Sequence, residues 1–548
     1  MQRPSSMLKI VVKLRAWAGR AAARLGRAKL WALGVFVGAL AAYATLVLRL
    51  AIDSVSYVFF GAGETGLVGA ASEMSFGRVW AVPVAGGVIV ALLLFGARRL
   101  GWLDSRRPHG VADVIEARAV DGRHVSFRTG LASSLITAVS LGAGASAGRE
   151  GPAVHLGASI ASFVSRQTGL RTVDMRTLLG CGAAAAVAAS FNAPIAGVLF
   201  ALEVVLGNYA LSIIGPVTVA SVTGALIARF HLGDFPAFAI PDYGVAGVID
   251  TPIALALGII CGLVAAGFMS AAAAAGRIAD RTAERLHTPY ECLPIIGGVV
   301  VGAIGAFAPE ILSVGYEATD AALQNALPLG ALVAFLVLKA VATAVTLACR
   351  FGGGVFSPGL YLGAMAGAAF GIVLQNIAPL ETASPSFYAI VGMGAAGGAI
   401  LGAPISTTLI VFELTGDYQM TMSLLVAVAA ATLIAEATFG KSFFHAQLAG
   451  RGYDLSDGPQ GVILQTIRVH DVMTALPESE ERLPEEAERL FQDQTLGQAL
   501  ARMEKAEADG LPVVDRSEPD LQLGYISQYK ALKAYNRALV DSHVEHHR

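Results

Sequence analysis

Three long apolar runs, Trp31 to Leu50, Trp80 to Ala97 and Gly330 to Ala348, set the tightest limit on what this chain can fold into. Each comes close to the ~20 residues that a helix needs to cross a hydrocarbon layer of about 30 Å. With 55% hydrophobic residues, 15% charged residues and a mean hydropathy of +0.62 over 548 residues, the chain is too apolar to fold around one core in water. In a bilayer every backbone N–H and C=O must be satisfied within its own element. The fold class expected is therefore an all-α polytopic membrane protein, with a small α/β tail discussed below.

The other apolar stretches are chopped by Gly and Pro into pieces too short or too broken to cross: Ser133 to Leu141, Gly182 to Leu206, Pro358 to Val373 and Ala389 to Leu414. Irregular backbone at membrane depth survives only where protein or a water-filled cavity covers it, so broken helices point to a site near the midplane. The first thirty residues carry Arg3, Lys9, Lys13, Arg15, Arg20, Arg24, Arg27 and Lys29 without an acidic residue. The positive-inside rule puts this segment (1–30) in the cytoplasm. It lacks the compact apolar run and small-residue cleavage site of a signal peptide, and is read as an amphipathic surface helix. Cys181, Cys261, Cys292 and Cys349 sit in or beside apolar segments without metal-ligand spacing and are read as packing residues.

From about Gln465 the chain turns charged and water-compatible, with an acidic run from Glu478 to Glu488. In this tail (465–548), Val469 to Thr474, Leu496 to Met503, Leu511 to Asp515 and Leu523 to Ser527 read as strand, helix, strand and strand before a closing helix. The order resembles one CBS module; a plain cytoplasmic cap is the other reading.

The membrane part, 31–450, hides a repeat, with halves at about 31–230 and 251–440. Gly182 to Glu203 aligned with Gly392 to Glu413 pairs Ala193-Pro194-Ile195 with Ala403-Pro404-Ile405, and Glu203 with Glu413. At nearly the same offset, Gly148 and Pro152 correspond to Gly354 and Pro358. Duplicated broken helices are the pattern of a transporter fold. In each Gly-rich turn a Pro stands at the expected first helical position, Pro152 or Pro358, where its missing N–H costs nothing. Free N–H groups and the positive end of the helix dipole make such a start an anion site with no full positive charge, and glycine lets the backbone approach the ion. Binding of this weak, distributed kind suits a conduit.

Arg149 and Glu150, inside an apolar region, are the costliest residues of the first half, since a charge near the bilayer centre costs at least ~2.5 kcal/mol. One reading is a structural ion pair. The sharper one places the Glu150 carboxylate where a permeant anion would sit: ionised, it blocks, and protonated or displaced, it opens. Burial and the helix dipole push its pKa in opposite directions, so the sequence leaves the sign open.

Gly148-Arg149-Glu150-Gly151-Pro152 (GREGP) and Gly354-Val355-Phe356-Ser357-Pro358 (GxFxP) resemble the two most specific signatures of the CLC chloride channels and chloride/proton antiporters. The resemblance runs on through Asn192 to Phe200 and Gly440-Lys441, over roughly residues 30–450. It implies an inverted repeat of tilted and half-spanning helices, assembled as a homodimer with one pore per subunit. It further implies Glu150 as gate, the amides of Val355 and Phe356 on the central anion, and Gly110, Arg149, Gly151 and Gly354 among the anion-binding residues.

The chain departs from the family pattern at three places. The first anion motif, commonly GSGIP, appears as Pro108-His109-Gly110-Val111-Ala112, with His109 in place of the serine; its N–H can donate to the ion, and protonation would add charge, while an ordinary loop histidine is the alternative. The coordinating tyrosine falls on Phe444, which offers only a ring edge. The internal proton glutamate of most antiporters, next after the residue matching Glu203, is Val204. That resembles the channel branch and makes a passive chloride channel the expected function. Chloride/proton exchange by another route, through Glu150 and Glu203, is the alternative, with Glu203 otherwise a helix cap. Fluoride export ranks below both because the GREGP pattern is retained.

No nucleic acid or cofactor is expected, and an adenine nucleotide at the tail only if two CBS-like units meet across a dimer. An intramembrane enzyme would need HExxH, GxSxG or paired aspartates, and the chain is read as having none. Gly440-Lys441-Ser442 fails as a phosphate loop because Ala435 stands where its first glycine belongs. A receptor-like protein would not need two Gly-rich helix starts. Both termini are expected in the cytoplasm and the protein in a bacterial inner membrane.

Overall fold

A computed structural model describes residues 6–104, 107, 109–120, 124–234, 238, 240–241, 249–377, 382–453, 464–465, 467–476 and 488–547, with side chains from 28 to 539. Among these, eight helices are long and apolar enough to cross a membrane. Pro108, the side chains of the basic segment up to residue 27 and most of the acidic run lie outside the described residues. From Ser6 on, the basic segment's backbone belongs to α1 (Ser6–Phe60) and runs unbroken into the first span rather than forming a separate surface helix.

The chain divides into two compact units, residues 1–114 with 124–442, and 115–123 with 443–548. The first is all helix. In its first half come α4 (Val111–Ala119, whose first turn lies in this unit), α5 (Phe127–Gly142), α6 (Glu150–Gln167), α7 (Thr172–Phe191) and α8 (Pro194–Phe200). In its second come α12 (Tyr316–Leu323), α13 (Leu329–Ala348), α14 (Phe356–Ile377), α15 (Pro385–Leu401) and α16 (Pro404–Thr415).

The duplication read from the sequence recurs in the packing. A Cβ on Gly157 would lie 2.4 Å from the Gly182 carbonyl oxygen, and one on Gly363 would lie 2.1 Å from that of Gly392. The pairs α6–α7 and α14–α15 therefore touch backbone to backbone through equivalent glycines, the close approach that small residues give membrane helices. Helix α7 ends at Asn192 (φ 58°) and α15 at Gly402 (φ 67°), both left-handed. After each stop, Ala-Pro restarts a short helix, because left-handed backbone ends the ladder and proline opens a new one.

Two local expectations change. Pro358 to Val373 lies inside one continuous helix of 22 residues that is long enough to cross. Helices α6 and α14 begin at Glu150 and Phe356, so Pro152 and Pro358 are third, not first. Any of the first three positions tolerates proline, since the first four N–H groups of a helix have no partner within it.

In the second unit four strands, β1 (Thr474–Ala475), β2 (Leu490–Phe491), β3 (Gly510–Val514) and β4 (Gln522–Ser527), form one sheet in the order β1-β4-β3-β2. Only β2 and β3 run parallel. Helix Leu496–Lys505, opened by a Thr495/Gln498 capping box, buries Leu496, Ala499 and Met503 with Val513 and Ile526. Val469–Val472 is a helical turn, not the expected strand; its Val469 and Val472 face the same core.

Candidate functional site

The two Gly-rich turns meet. Gly148 N–H donates to the Gly354 carbonyl at 2.8 Å, and Gly354 N–H donates to the Gly148 carbonyl at 2.7 Å, a two-residue antiparallel bridge. The approach is close on both sides and tightest at Gly148. A Cβ on Gly148 would lie 2.8 Å from Glu150 Oε2 and 3.0 Å from Ser357 N, and one on Gly151 would lie 3.4 Å from Gly354 Cα. The N-termini of α6 and α14 thus converge on one point. The same Gly151 position lies 3.9 Å from Val111 Cγ2, so the start of α4 borders it.

Hydroxyls hold the turns in place where glycine leaves backbone exposed to the helices behind them. Ser140 Oγ accepts the Gly352 N–H at 2.9 Å, and Thr346 Oγ1 accepts the Ser146 N–H at 3.1 Å. Gly144-Ala145-Ser146-Ala147-Gly148 does spell GxSxG, against the expectation that this pattern is absent. Ser146 is fully buried with its hydroxyl 3.1 Å from Thr343 Oγ1, a hydroxyl that cannot act as the general base a serine nucleophile requires.

Arg149 and Glu150 are both buried. Arg149 pairs with the Glu64 carboxylate, and its guanidinium carbon lies 4.9 Å from the centre of the Tyr316 ring. The Tyr316 hydroxyl donates to Glu150 Oε1 at 3.3 Å, and Arg149 Nε stands 4.0 Å from the same oxygen. Glu150 Oε2 and Ser357 Oγ are buried and make no hydrogen bond among the described residues. Val355 and Phe356 are buried beside them, with the Phe356 ring 5.0 Å from that of Phe191 and 5.9 Å from that of Phe200. The arrangement sets one ionisable oxygen against two helix starts, behind an aromatic wall. A carboxylate there occupies the field that would otherwise hold a small anion.

His109 does not stand free. Its Nδ1 lies 3.2 Å from Asp113 Oδ2 and its Nε2 lies 3.1 Å from the Asp104 carbonyl oxygen. Asp113 Oδ2 also accepts the Gly110 N–H at 3.0 Å and lies 3.7 Å from Nε2 of the fully buried His155. Both ring nitrogens of His109 are thus engaged by neighbours within the chain.

Glu203 sits at the start of α16. Its carboxylate accepts the N–H of Ile405 at 3.0 Å and of Ser406 at 2.8 Å, and also the Ser406 hydroxyl. Its repeat partner Glu413 does the same for α8, accepting from Ile195 at 3.0 Å and Ala196 at 2.7 Å. Phe444, buried at the start of Phe443–Gly450, belongs to the second unit. Glu64, Tyr316, Asp113, His155 and the Phe191/Phe200 wall escaped the sequence reading. Residue type alone singles out none of these: the first acidic residue after the first apolar span is Asp53, not Glu64.

A family model described as voltage gated chloride channel matches residues 86–436. A putative chloride channel protein ClcB-like of Ralstonia nicotianae is 32% identical over 426 residues, which are 76% of this chain and 96% of that one. Among solved structures, a slow cyanobacterial Cl−/H+ antiporter superposes with a TM-score of 0.67 at 21% identity, over 77% of this chain and 97% of that one. A CLC-type fluoride/proton antiporter reaches a TM-score of 0.64 at 21% identity, over 77% and 98%. The protein is an integral, multi-pass membrane protein, and it belongs to the voltage-gated chloride channel family, the CLC family.

Proposed function

We propose that the chain passes chloride through a pathway gated by Glu150, as a channel without obligatory proton coupling. The reading rests above all on the Gly148–Gly354 bridge, which brings two helix starts to one point with Glu150 Oε2, an oxygen that makes no hydrogen bond among the described residues. Gly110, Arg149, Gly151, Gly354, Val355 and Phe356 form the anion's surroundings, with His109 in the place of the family's serine; in the sequence, Phe444 stands where the family's pattern has its tyrosine. Val204, only 6% exposed, carries no proton, and the neighbouring Glu203 spends its carboxylate on capping α16. Chloride/proton exchange is the second reading. Its proton route would use Glu150 and Glu203, and the His109–Asp113–His155 cluster at the start of α4 adds further titratable groups. Fluoride export ranks third, the chain having kept Gly148 to Pro152 intact.

The working unit is a homodimer, with N- and C-termini in the cytoplasm of a bacterial inner membrane. Glu203 and Glu413 are only half-buried in one protomer and stand beside Ile195 and Ile405, which are 52% and 47% exposed, so a second copy has reason to cover this face. The tail is a CBS-like cytoplasmic module, and adenine nucleotide binds there only if two such units meet; a nucleotide titration that leaves tail protection and flux unchanged removes that part.

The deciding experiment is purified protein in liposomes under a chloride gradient, with the reversal potential recorded as a proton gradient is imposed. A potential fixed by chloride alone supports the channel. A potential that moves with the proton gradient replaces it with exchange, and absence of chloride flux removes both.

A further inference from the structure

The loop 61–66 between α1 and α2 (Leu67–Glu73) places a second buried carboxylate, Glu64, on the guanidinium that also faces Glu150. Two carboxylates and one cation share this space. Arg149 Nη1 is bonded to Glu64 Oε2, whereas its Nε keeps 4.0 Å from Glu150 Oε1. Glu64 Oε1 is buried and makes no hydrogen bond among the described residues. The charged and titratable groups around Glu64 are Arg49 and Asp53 on α1, Arg149 just before α6 and Glu150 at its start, and Tyr316 on α12; Asp53 Oδ1 accepts the Glu64 N–H at 2.9 Å. Burial pushes the Glu64 carboxyl above the ordinary range, Arg149 pulls it down, and Asp53 and Glu150 push it up again.

We infer that Glu64 is a positioning residue for the gate: by holding the Arg149 guanidinium, it keeps that charge from Glu150 and so sets the pH at which chloride flux turns on. The inference rests on the gate reading of Glu150. With Glu64 ionised, Arg149 is largely matched, and Glu150 has the Tyr316 hydroxyl, the two helix starts and the remainder of the Arg149 charge at 4.0 Å. With Glu64 neutral, one negative charge leaves the neighbourhood and the whole charge of Arg149 faces Glu150. Both changes favour the ionised, blocking form, so opening then requires more acid. A charge a few ångströms beyond Arg149, at the effective dielectric of about 20 that suits buried sites, moves such an equilibrium by about one pH unit or more.

The test is initial chloride efflux from liposomes holding the full-length protein, measured from pH 4 to pH 8 (roughly the span over which carboxyl and histidine groups titrate) with equal pH on both sides. Glu64→Gln is expected to move the half-maximal pH down by about one unit or more while leaving the maximal rate near that of the parent. Glu64→Asp, which keeps the charge, is expected to hold the parent midpoint within a few tenths of a unit. Glu64→Ala is the second neutral variant and is expected to move the midpoint the same way if Glu64→Gln fails to give monodisperse protein. Glu150→Gln is run alongside and is expected to give a flat profile, alone and combined with Glu64→Gln. A flat Glu150→Gln profile with an unmoved or upward-moved midpoint in the neutral Glu64 variants overturns this inference and leaves the gate standing. A Glu150→Gln profile that stays pH-dependent overturns the gate reading itself, and this inference with it.

Discussion

Glu203 and Glu413 should behave as twins, and replacing each by glutamine tests whether Glu203 is a cap or a proton carrier. Each carboxylate accepts two backbone N–H groups at a helix start, at 3.0 and 2.8 Å for Glu203 and at 3.0 and 2.7 Å for Glu413. Glutamine keeps one acceptor oxygen but turns an NH2 group toward the second N–H. One charge-assisted bond is lost, at ~1.5–3 kcal/mol, together with ~0.3–1 kcal/mol of charge–dipole attraction. The expected cost is therefore ~2–4 kcal/mol for either variant, seen as a fall of roughly 3–6 °C in the apparent melting temperature of detergent-purified protein at one fixed scan rate. Both variants should keep the parent's response of reversal potential to a proton gradient. The reasoning is refuted if Glu203→Gln melts like the parent while that response changes, because a proton carrier loses function without loosening a helix start. It is refuted equally if Glu413→Gln alone is destabilised, since the twin geometry then has no energetic meaning.

Tyr316→Phe removes the hydroxyl 3.3 Å from Glu150 Oε1 and with it support for the ionised gate, so the flux midpoint should move up in pH by about half a unit to one unit, opposite to Glu64→Gln. Liposome efflux against pH reads both. Gly363→Ala, whose Cβ would stand 2.1 Å from the Gly392 carbonyl oxygen, should cost ~2–3 kcal/mol and lower the yield of monodisperse protein, whereas Gly69→Ala, with nothing within 4 Å, should be neutral or slightly stabilising on the same column. Lys339, fully buried with its ammonium donating to the carbonyls of Ile311 at 2.9 Å and Ser313 at 2.8 Å, should lose ~2–3 kcal/mol on change to Met, leaving two buried acceptors bare, and a thermal melt beside the Arg variant checks it.

How much of this was legible in the sequence depended on whether the constraint was local. A bilayer forbids unsatisfied backbone, so the residues that stop and restart helices had to appear, and Asn192-Ala193-Pro194 and Gly402-Ala403-Pro404 announce their breaks by residue type alone. The glycines of the two turns were legible for the same reason, although not that Gly148 and Gly354 would bond each other. The residues that decide charge at the site were not legible: Glu64 lies 85 positions from Arg149, and Tyr316 lies 166 from Glu150. No periodicity links positions so far apart. His109 shows the same limit from the other side. Its identity suggested a donor for the ion, but Asp113 and the Asp104 carbonyl engage both ring nitrogens, a matter of backbone folding that residue type does not reveal.

The repeat also gives Val204 a physical origin. The residue after each capping glutamate is Val204 in the first half and Leu414 in the second, 6% and 8% exposed, both packed inward behind a carboxylate that faces the opposite helix start. A glutamate at 204 would put a second carboxylate beside the first in a site lined by apolar side chains, at the cost of burying an unpaired charge. An apolar residue is therefore what the duplicated packing calls for at both places, and an internal proton glutamate would be the addition that needs explaining. Within this chain the Glu203-Val204 pair belongs to the architecture of the two halves. Proton coupling, if flux measurements find it, has candidates that the repeat does not duplicate: at the offset that pairs Gly148 with Gly354, the clustered His109, Asp113 and His155 fall on Gly315, Thr319 and Tyr361 in the second half.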